Sequence, residues 1–226
     1  MSALIARTGR HRQLYDDGFR LVSGCIPYRI KKDVEDDTVD SENRLEVLMV
    51  SSPNREDLVF PKGGWEDDET MVEAACREAL EEAGVKGILD ENYLGWWEFR
   101  SKSRQNSCST EGSCRGCMFA LEVTEELDTW PEEDNHGRRW LSMGEAFRLC
   151  RYEWMREALE VFLRRLSETG KYEMKKEELV EVTSGAVAVA DVVVGDHPLM
   201  SPSCSVKSSG TQQLGGESYN KCVVQG

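Results

Sequence analysis

Runs of apolar and β-branched residues predict several strands arranged around one central helix. Residues 20–30 and 45–52 are rich in such side chains and are bounded by turn residues, which is typical of strands. Pro27 lies inside the first run and therefore indicates an edge strand or a bulge. A shorter strand, residues 58–60, leads into a loop that contains the glycine pair 63–64.

Further strands are predicted after the central helix. Residues 93–102 and 116–127 are strand candidates, and a loop rich in cysteine and serine joins them. Two strands connected in this way are predicted to pair as a hairpin. Residues 138–143 predict one more short strand.

Two segments show the periodicity of amphipathic helices. Residues 68–85 give the stronger pattern: Asp67 or Asp68 is predicted to cap the start, and Gly84 is placed to end the helix. Residues 143–170 place apolar side chains on one face. That face comprises Phe147, Cys150, Trp154, Leu159, Phe162 and Leu166. Strands before and after one helix, closed by a second helix, indicate an α/β layered architecture.

The pattern divides the chain into three parts. Residues 18–170 are predicted to form the folded domain, and the Ser- and Gly-rich residues 171–226 a flexible tail. Residues 1–17 are rich in arginine and begin without an acidic residue, which is compatible with a mitochondrial presequence. The alternatives are a basic arm that folds onto the domain or helps to bind an anion, and a cytoplasmic protein.

Composition excludes some classes of function. The net charge of −14 over 226 residues disfavours a general nucleic-acid binder, which needs a basic face. A small polyanionic substrate remains compatible, because bound cations and a few arginines set the field inside a cleft. No run of about 18 apolar residues occurs, so no transmembrane helix is predicted.

Three of the eight cysteines are grouped in the loop region: Cys108, Cys114 and Cys117. A CxxC pair with a third cysteine could contribute to a zinc site, but a structural zinc site needs four ligands at fixed spacing. The nearest histidine after the group is His136. The alternative is that these cysteines are ordinary loop thiols.

The central helix carries the clearest candidate for chemistry. Glu78, Glu81 and Glu82 fall at positions i, i+3 and i+4, so their carboxylates converge on one helix face beside Arg77. Like charges there repel, whereas Mg²⁺ binds hard oxygen ligands of this kind. The glycine pair that precedes the helix allows the backbone to approach a metal ion or a phosphate closely.

The stretch from Gly63 to Val85 resembles GX₅EX₇REUXEEXGU, the signature of the Nudix hydrolase family, at every charged and glycine position. Ala79 is a small departure, because a larger aliphatic residue is usual there. The resemblance covers about residues 18–165 and implies a Nudix α/β/α sandwich with a mixed sheet. It also implies a Mg²⁺-dependent hydrolase in which Mn²⁺ can substitute.

By the same resemblance, Glu78 and Glu82 are the main metal ligands, and Glu81 is a ligand or the base that activates water. The Gly63 carbonyl often joins the metal shell in relatives, Arg77 holds the glutamates in place and Glu69 pairs structurally. A further acidic residue outside the motif can act as base. The candidates for that role are Glu111, Glu132 and Glu133.

The segments FPKGGWEDDET, KGILDENYLGWWEF and RRWLSMGEAFRLCRYEWM are similar to plant Nudix hydrolases related to diphosphoinositol polyphosphate phosphohydrolases. The resemblance is strongest to mitochondrial members that hydrolyse long-chain diadenosine polyphosphates; diphosphoinositol polyphosphates are the alternative substrate. Dense polyanions require cations beyond the metal. The candidates are Arg20, Lys62, Arg100, Lys102, Arg138 and Arg139. A third hypothesis, an inactive nucleotide-binding Nudix module, is disfavoured because all the motif glutamates are present.

Overall fold

The computed structural model describes residues 5–31, 44–100 and 112–172, and the backbone of residues 220–221. These residues form one mixed β-sheet flanked by helices. Within the described part of the chain, no helix is both long and apolar enough to cross a membrane. The valine-rich segment of the predicted tail lies outside the described residues.

Ten strands form the sheet, and the main order across it is β10-β6-β8-β2-β3-β4. The strands β2 and β8 pair in parallel, and the remaining pairs are antiparallel. The strands are β1 (Tyr15–Asp16), β2 (Phe19–Lys31), β3 (Arg44–Ser51), β4 (Leu58–Val59), β5 (Lys62–Gly64), β6 (Val85–Leu89), β7 (Gly95–Arg100), β8 (Ser113–Glu126), β9 (Arg138–Ser142) and β10 (Asn220–Lys221).

Strand β2 lies in the middle of the sheet, so the prediction of an edge strand from Pro27 is wrong. On one side β2 pairs continuously with β8 from Arg20 to Tyr28. On the other side it pairs with β5 up to Gly24 and with β3 only from Tyr28 onward. Pro27 therefore lies between the residues of β2 that pair with β5 and those that pair with β3. Its missing N–H interrupts neither of these two hydrogen-bond ladders.

The hairpin predicted from residues 93–102 and 116–127 is confirmed. Strand β7 pairs with β8 in an antiparallel register that runs from Gly95 opposite Met118 to Arg100 opposite Ser113. Strand β8 begins earlier than the apolar pattern predicted, at Ser113, whereas β7 is shorter than predicted and ends at Arg100.

The central helix, α1 (Met71–Ala83), begins and ends with strong caps. Thr70 accepts a hydrogen bond from the Glu73 N–H, and the Glu73 carboxylate accepts one from the Thr70 N–H. The prediction that Asp67 or Asp68 caps the helix is therefore wrong. Gly84 ends it as predicted, with a φ of 62° that glycine adopts without strain.

The long C-terminal helical segment is divided into two helices, α2 (Met143–Leu149) and α3 (Glu153–Glu168). Nothing in the sequence between them breaks a helix. A tertiary contact does so: the Arg151 N–H donates to the Leu58 carbonyl. A local contact accompanies it, in which Arg156 donates to the Cys150 carbonyl. The predicted apolar face is buried at every position except Phe147, which is partly buried.

The helices α1 and α3 lie on opposite faces of the sheet. The Ser23 hydroxyl donates to the Met71 carbonyl at the start of α1, at 2.7 Å. The Tyr28 ring packs on the Phe162 ring of α3, with the centroids 5.1 Å apart. Side chains five residues apart on a regular strand point to opposite faces. The architecture is therefore the predicted α/β/α sandwich with a mixed sheet.

Candidate active site

The acidic face of α1 packs against the glycine strand β5. A Cβ atom placed on Gly63 would lie 2.2 Å from the carboxylate of Glu78, so any larger residue there would displace this carboxylate. The Glu82 carboxylate accepts a hydrogen bond of 2.9 Å from the Lys62 N–H on the same strand. The carboxylates of Glu78 and Glu82 therefore pack directly on strand β5.

Arg77 links the carboxylates and the glycine strand. Its guanidinium donates to both Glu69 oxygens, at 2.9 and 2.7 Å, and to the Gly64 carbonyl at 2.8 Å. Its Nη1 donates to Glu78 at 2.7 Å and to Glu81 at 3.2 Å. With Arg77, Glu78 and Glu81 all less than a tenth exposed, this network fixes the carboxylates in a largely dry environment.

The donor set of this site fits a divalent cation. Burial raises the pKa of Glu78 to about 8, and the neighbouring Glu82 charge adds to the shift. Burial also raises the pKa values of Glu81 and Glu82. Glu78 and Glu81 are buried, and the Glu82 side chain is 13% exposed. Arg77 and Lys62 do not compensate these three carboxylates together with Glu69, so the fully ionised cluster requires further positive charge. A hard divalent cation supplies that charge and binds oxygen ligands of this kind.

Replacing Gly63 by alanine is expected to abolish metal binding and turnover, because the new methyl group would occupy the position of the Glu78 carboxylate. Isothermal titration with Mn²⁺ measures the loss directly. Gly170→Ala is the matched control: its φ of 66° makes alanine strained there, but nothing lies within 4 Å of its Cβ position. The idea fails if Gly63→Ala binds Mn²⁺ as tightly as the control does.

The metal-free protein is expected to lose stability as pH rises. Because the folded-state pKa of Glu78 is raised from 4.5 to about 8, ionising it costs more in the folded state than in the unfolded chain. The loss begins near pH 4.5 and is complete above about pH 8. Thermal melting in EDTA between pH 5 and 8.5 measures this decline.

A saturating divalent cation is expected to reverse that pH trend, because it binds the ionised carboxylates of the folded state. At 100 times Kd the gain is about 2.7 kcal/mol, or a rise of about 5–10 °C in Tm. An equal rise at pH 5 and at pH 8 would contradict the link between cation binding and these carboxylates.

The loop between β8 and β9 is fixed to the C-terminal end of α1. Consecutive carbonyls of residues 81–84 accept hydrogen bonds from the Glu132 N–H, the Trp130 indole, the Arg138 guanidinium and the Leu127 N–H. These are the carbonyls that a helix end leaves without partners. The loop thereby closes the helix and stands beside the acidic face.

Of the three predicted bases outside the motif, the structure places Glu132 at the site. A Glu132 carboxylate oxygen lies 3.3 Å from His136 Nε2, which is 3.9 Å from a Glu82 oxygen. Glu133 is exposed and accepts a bond from the Trp130 N–H instead. Glu111 lies outside the described residues.

Three cations act electrostatically on the Cys114 thiol and are called the basic group: Arg10, Arg20 and Lys62. Burial raises the pKa of this thiol, and the three charges act on it in the opposite direction. Arg20 lies directly opposite Cys114 in the pairing of β2 with β8. Lys62 also lowers the pKa of Glu82. Gly64 lies between the carboxylates and Arg20. A Cβ atom placed on Gly64 would lie 2.7 Å from the Arg20 guanidinium, on the face of β5 opposite to that of Glu78.

The other predicted cations are placed differently. Arg138 donates to the carbonyls of Ala83, Gly84 and Leu127 and covers the Trp130 ring, so it caps α1 where a positive charge is favourable. The substrate contact of Arg138 stays a prediction. Arg139 is exposed on β9, Arg100 is exposed at the end of β7, and Lys102 lies outside the described residues.

The basic N-terminal arm folds onto the domain, as one of its sequence alternatives predicted. Arg7 pairs with Glu66 and Asp68, and its backbone N–H donates to the Glu81 carboxylate at 3.2 Å. Arg12 pairs with Asp67 at 2.7 Å. The arm therefore borders the catalytic face and occupies the two aspartates that the sequence assigned to helix capping.

The two described cysteines of the group, Cys114 and Cys117, do not converge on a metal. Cys114 and Cys117 are buried free thiols on β8, three residues apart, so their side chains point to opposite faces of the sheet. Burial raises the pKa of Cys117 to about 12, which disfavours the thiolate that zinc requires. Cys108 lies outside the described residues.

Sequence reasoning missed three contributors, Arg10, Trp130 and His136. Two signals were available in the sequence. Glu132 and His136 are four residues apart, a spacing that places two side chains on the same side of one helical turn, and the arm is basic. Neither signal reveals that the arm and the loop meet the same end of α1, because both contacts join residues far apart in sequence.

This α/β/α sandwich holds buried glutamates against a glycine strand and thereby provides the oxygen ligands that a divalent cation prefers. A model of the NUDIX domain matches residues 38–166. The chain belongs to the Nudix hydrolase family, whose members are pyrophosphohydrolases that use a divalent metal ion.

Relatives of known name support this assignment. Nudix hydrolase 13, mitochondrial, from Arabidopsis thaliana is 63% identical over 188 residues, which cover 81% of this chain and 92% of that protein. Nudix hydrolase 12, mitochondrial, from the same plant is 63% identical over 180 residues, covering 78% and 89%. Diphosphoinositol polyphosphate phosphohydrolase 2 from Mus musculus is 34% identical over 139 residues, covering 60% and 65%.

Among solved structures, an Ap4A hydrolase from C. elegans matches with a TM-score of 0.47 and 19% identity, over 65% of this chain and 97% of that one.

Proposed function

We propose that this protein hydrolyses long-chain diadenosine polyphosphates, such as diadenosine penta- and hexaphosphate, in a Mg²⁺-dependent reaction. The observation that carries metal-dependent hydrolysis of a polyanion is the buried carboxylate cluster of α1, which lies across strand β5 from the Arg20 guanidinium. A substrate with several consecutive phosphates is long enough and charged enough to contact both. Further substrate contacts are predicted for Arg100, Lys102, Arg138 and Arg139.

In the proposed reaction, water attacks a phosphorus atom of the polyphosphate chain and a nucleotide leaves. Glu78 and Glu82 would hold the cation with the Gly63 carbonyl, and Mg²⁺ would stabilise the negative charge that develops on the attacking and leaving oxygens. Glu81 would accept the proton of the attacking water, because it is fixed by Arg77 and stands beside the arm. Mn²⁺ would substitute for Mg²⁺.

The leading alternative is hydrolysis of diphosphoinositol polyphosphates. The specific observation in its favour is the similarity to the mouse enzyme that carries this name. Our preference for dinucleotides rests on the segments that flank the motif, which resemble plant Nudix hydrolases acting on long-chain diadenosine polyphosphates. Both substrates are dense polyanions, so the basic group supports either of them.

A substrate panel in Mg²⁺ tests the proposal. Diadenosine penta- and hexaphosphate, diphosphoinositol polyphosphates and nucleoside triphosphates are compared by kcat/KM at equal enzyme concentration. We expect the long dinucleotides to exceed the triphosphates by at least about tenfold, which corresponds to about 1.4 kcal/mol of additional transition-state binding. Equal slow hydrolysis of all substrates would remove the preference.

We further propose that the protein acts in the mitochondrion, since relatives of 63% identity carry that location in their names. The folded contacts of Arg7 and Arg12 support retention of the arm in the mature enzyme. Sequencing the N-terminus of protein isolated from tissue distinguishes the outcomes. A mature chain that begins after residue 12 would contradict retention of the arm.

A further inference from the structure

His136 presents one ring nitrogen to two carboxylates. Its Nδ1 lies 2.9 Å from the Ser51 carbonyl oxygen, which can only accept a hydrogen bond. In the neutral ring Nδ1 therefore carries the hydrogen, and the lone pair of Nε2 points away from Ser51. That nitrogen faces Glu132 at 3.3 Å and Glu82 at 3.9 Å.

These three groups have the spacing of a cation site. One ligand atom from each of Glu82, Glu132 and His136 lies within 4.8 Å of the other two. Two ligands at about 2.1 Å from a metal and at right angles to each other are about 3 Å apart. The observed separations of 3.3 and 3.9 Å therefore leave room for one ion between the three groups.

Different elements hold the three groups rigidly. Glu82 is on α1 and is fixed by the Lys62 N–H. Glu132 and His136 are on the loop that the end of α1 anchors through the Glu132 N–H and the Trp130 indole. The carbonyl behind His136 sets its tautomer, as is usual for histidines that bind metals. The positions of the three ligand groups are thus fixed by the protein itself.

We propose that Glu82, Glu132 and His136 bind one divalent transition-metal ion through two carboxylates and one imidazole. The proposal rests on the metal-dependent hydrolysis proposed above, and it extends the metal centre beyond the motif. An imidazole ligand favours a transition-metal ion such as Mn²⁺ or Zn²⁺ over Mg²⁺, which prefers oxygen. Glu82 then serves both the motif site and this one.

The test is electron spin-echo spectroscopy of the full-length protein saturated with Mn²⁺ at pH 7.5. Nitrogen bound to Mn²⁺ produces a ¹⁴N modulation that oxygen ligands do not. We expect this modulation in the native protein and its loss in His136→Gln, with about 10- to 100-fold weaker binding at one Mn²⁺ site by titration. His11→Gln is the matched control, because His11 is exposed on the arm.

Absence of the ¹⁴N signal from the native protein would overturn the proposal, and this result does not depend on any variant folding. A signal that persists in His136→Gln would overturn it as well. If Nε2 instead carries a proton and His136 forms an ion pair with the carboxylates, the native protein gives no ¹⁴N signal. If hydrolysis in Mg²⁺ continues while the ¹⁴N signal is absent, the proposed function stands and only this inference fails.

Discussion

Replacing Glu78 or Glu82 by glutamine is expected to abolish hydrolysis while the fold is kept. Each change removes one negative ligand and leaves the shape of the side chain almost unchanged. Loss of about 4 kcal/mol of metal-dependent charge stabilisation lowers kcat by about 1,000-fold or more. Steady-state hydrolysis of diadenosine pentaphosphate in saturating Mg²⁺ measures the loss, and circular dichroism verifies the fold.

Stability distinguishes this result from simple unfolding. Without metal, Glu78→Gln is expected to be at least as stable as the native protein at pH 8, because it removes the cost of ionising a buried carboxyl. Glu73→Gln is the matched control on α1: it is exposed, and its loss weakens only the capping box. Near-normal activity of Glu78→Gln or Glu82→Gln in saturating Mg²⁺ would show that the ligand assignment is wrong.

Replacing Arg77 by methionine is expected to destabilise the protein by about 3–5 kcal/mol, because it leaves buried carboxylates without their compensating charge. Glu69 loses both of its short bonds to the guanidinium, and Glu78 and Glu81 lose theirs. For a chain of this size the change lowers Tm by about 10 °C. Urea denaturation with the linear extrapolation measures the free energy of unfolding.

Lys86→Met is the matched control for Arg77→Met. Lys86 pairs with Glu125 at 3.2 Å on the surface, so removing its charge is expected to cost less than about 1 kcal/mol. Arg77→Lys keeps the charge but loses the planar fork that reaches Glu69, Glu78 and Gly64 together, so its loss is expected to be intermediate. A free-energy change for Arg77→Met as small as that for Lys86→Met would contradict a structural role for this network.

Local patterns predicted most of the architecture. The periodicity of residues 68–85 predicted α1, and Gly84 predicted its end, because both properties depend on residues that are neighbours in sequence. Long-range contacts corrected the rest. Pro27 predicted an edge strand because the sequence does not show that β2 changes its neighbouring strand at this point. The division between α2 and α3 follows from the contact of Arg151 with Leu58.

The spacing of the motif from Gly63 to Val85 predicted a divalent-metal site, because it brings three carboxylates to one helix face. The family and the type of reaction followed from the resemblance of the motif to the Nudix signature. Only the tertiary structure showed which distant groups meet that face. It placed His136 and Glu132 beside Glu82, and it assigned Arg138 to the end of α1. These contacts depend on how the sheet brings separate segments together, and residue spacing along the chain carries no record of that.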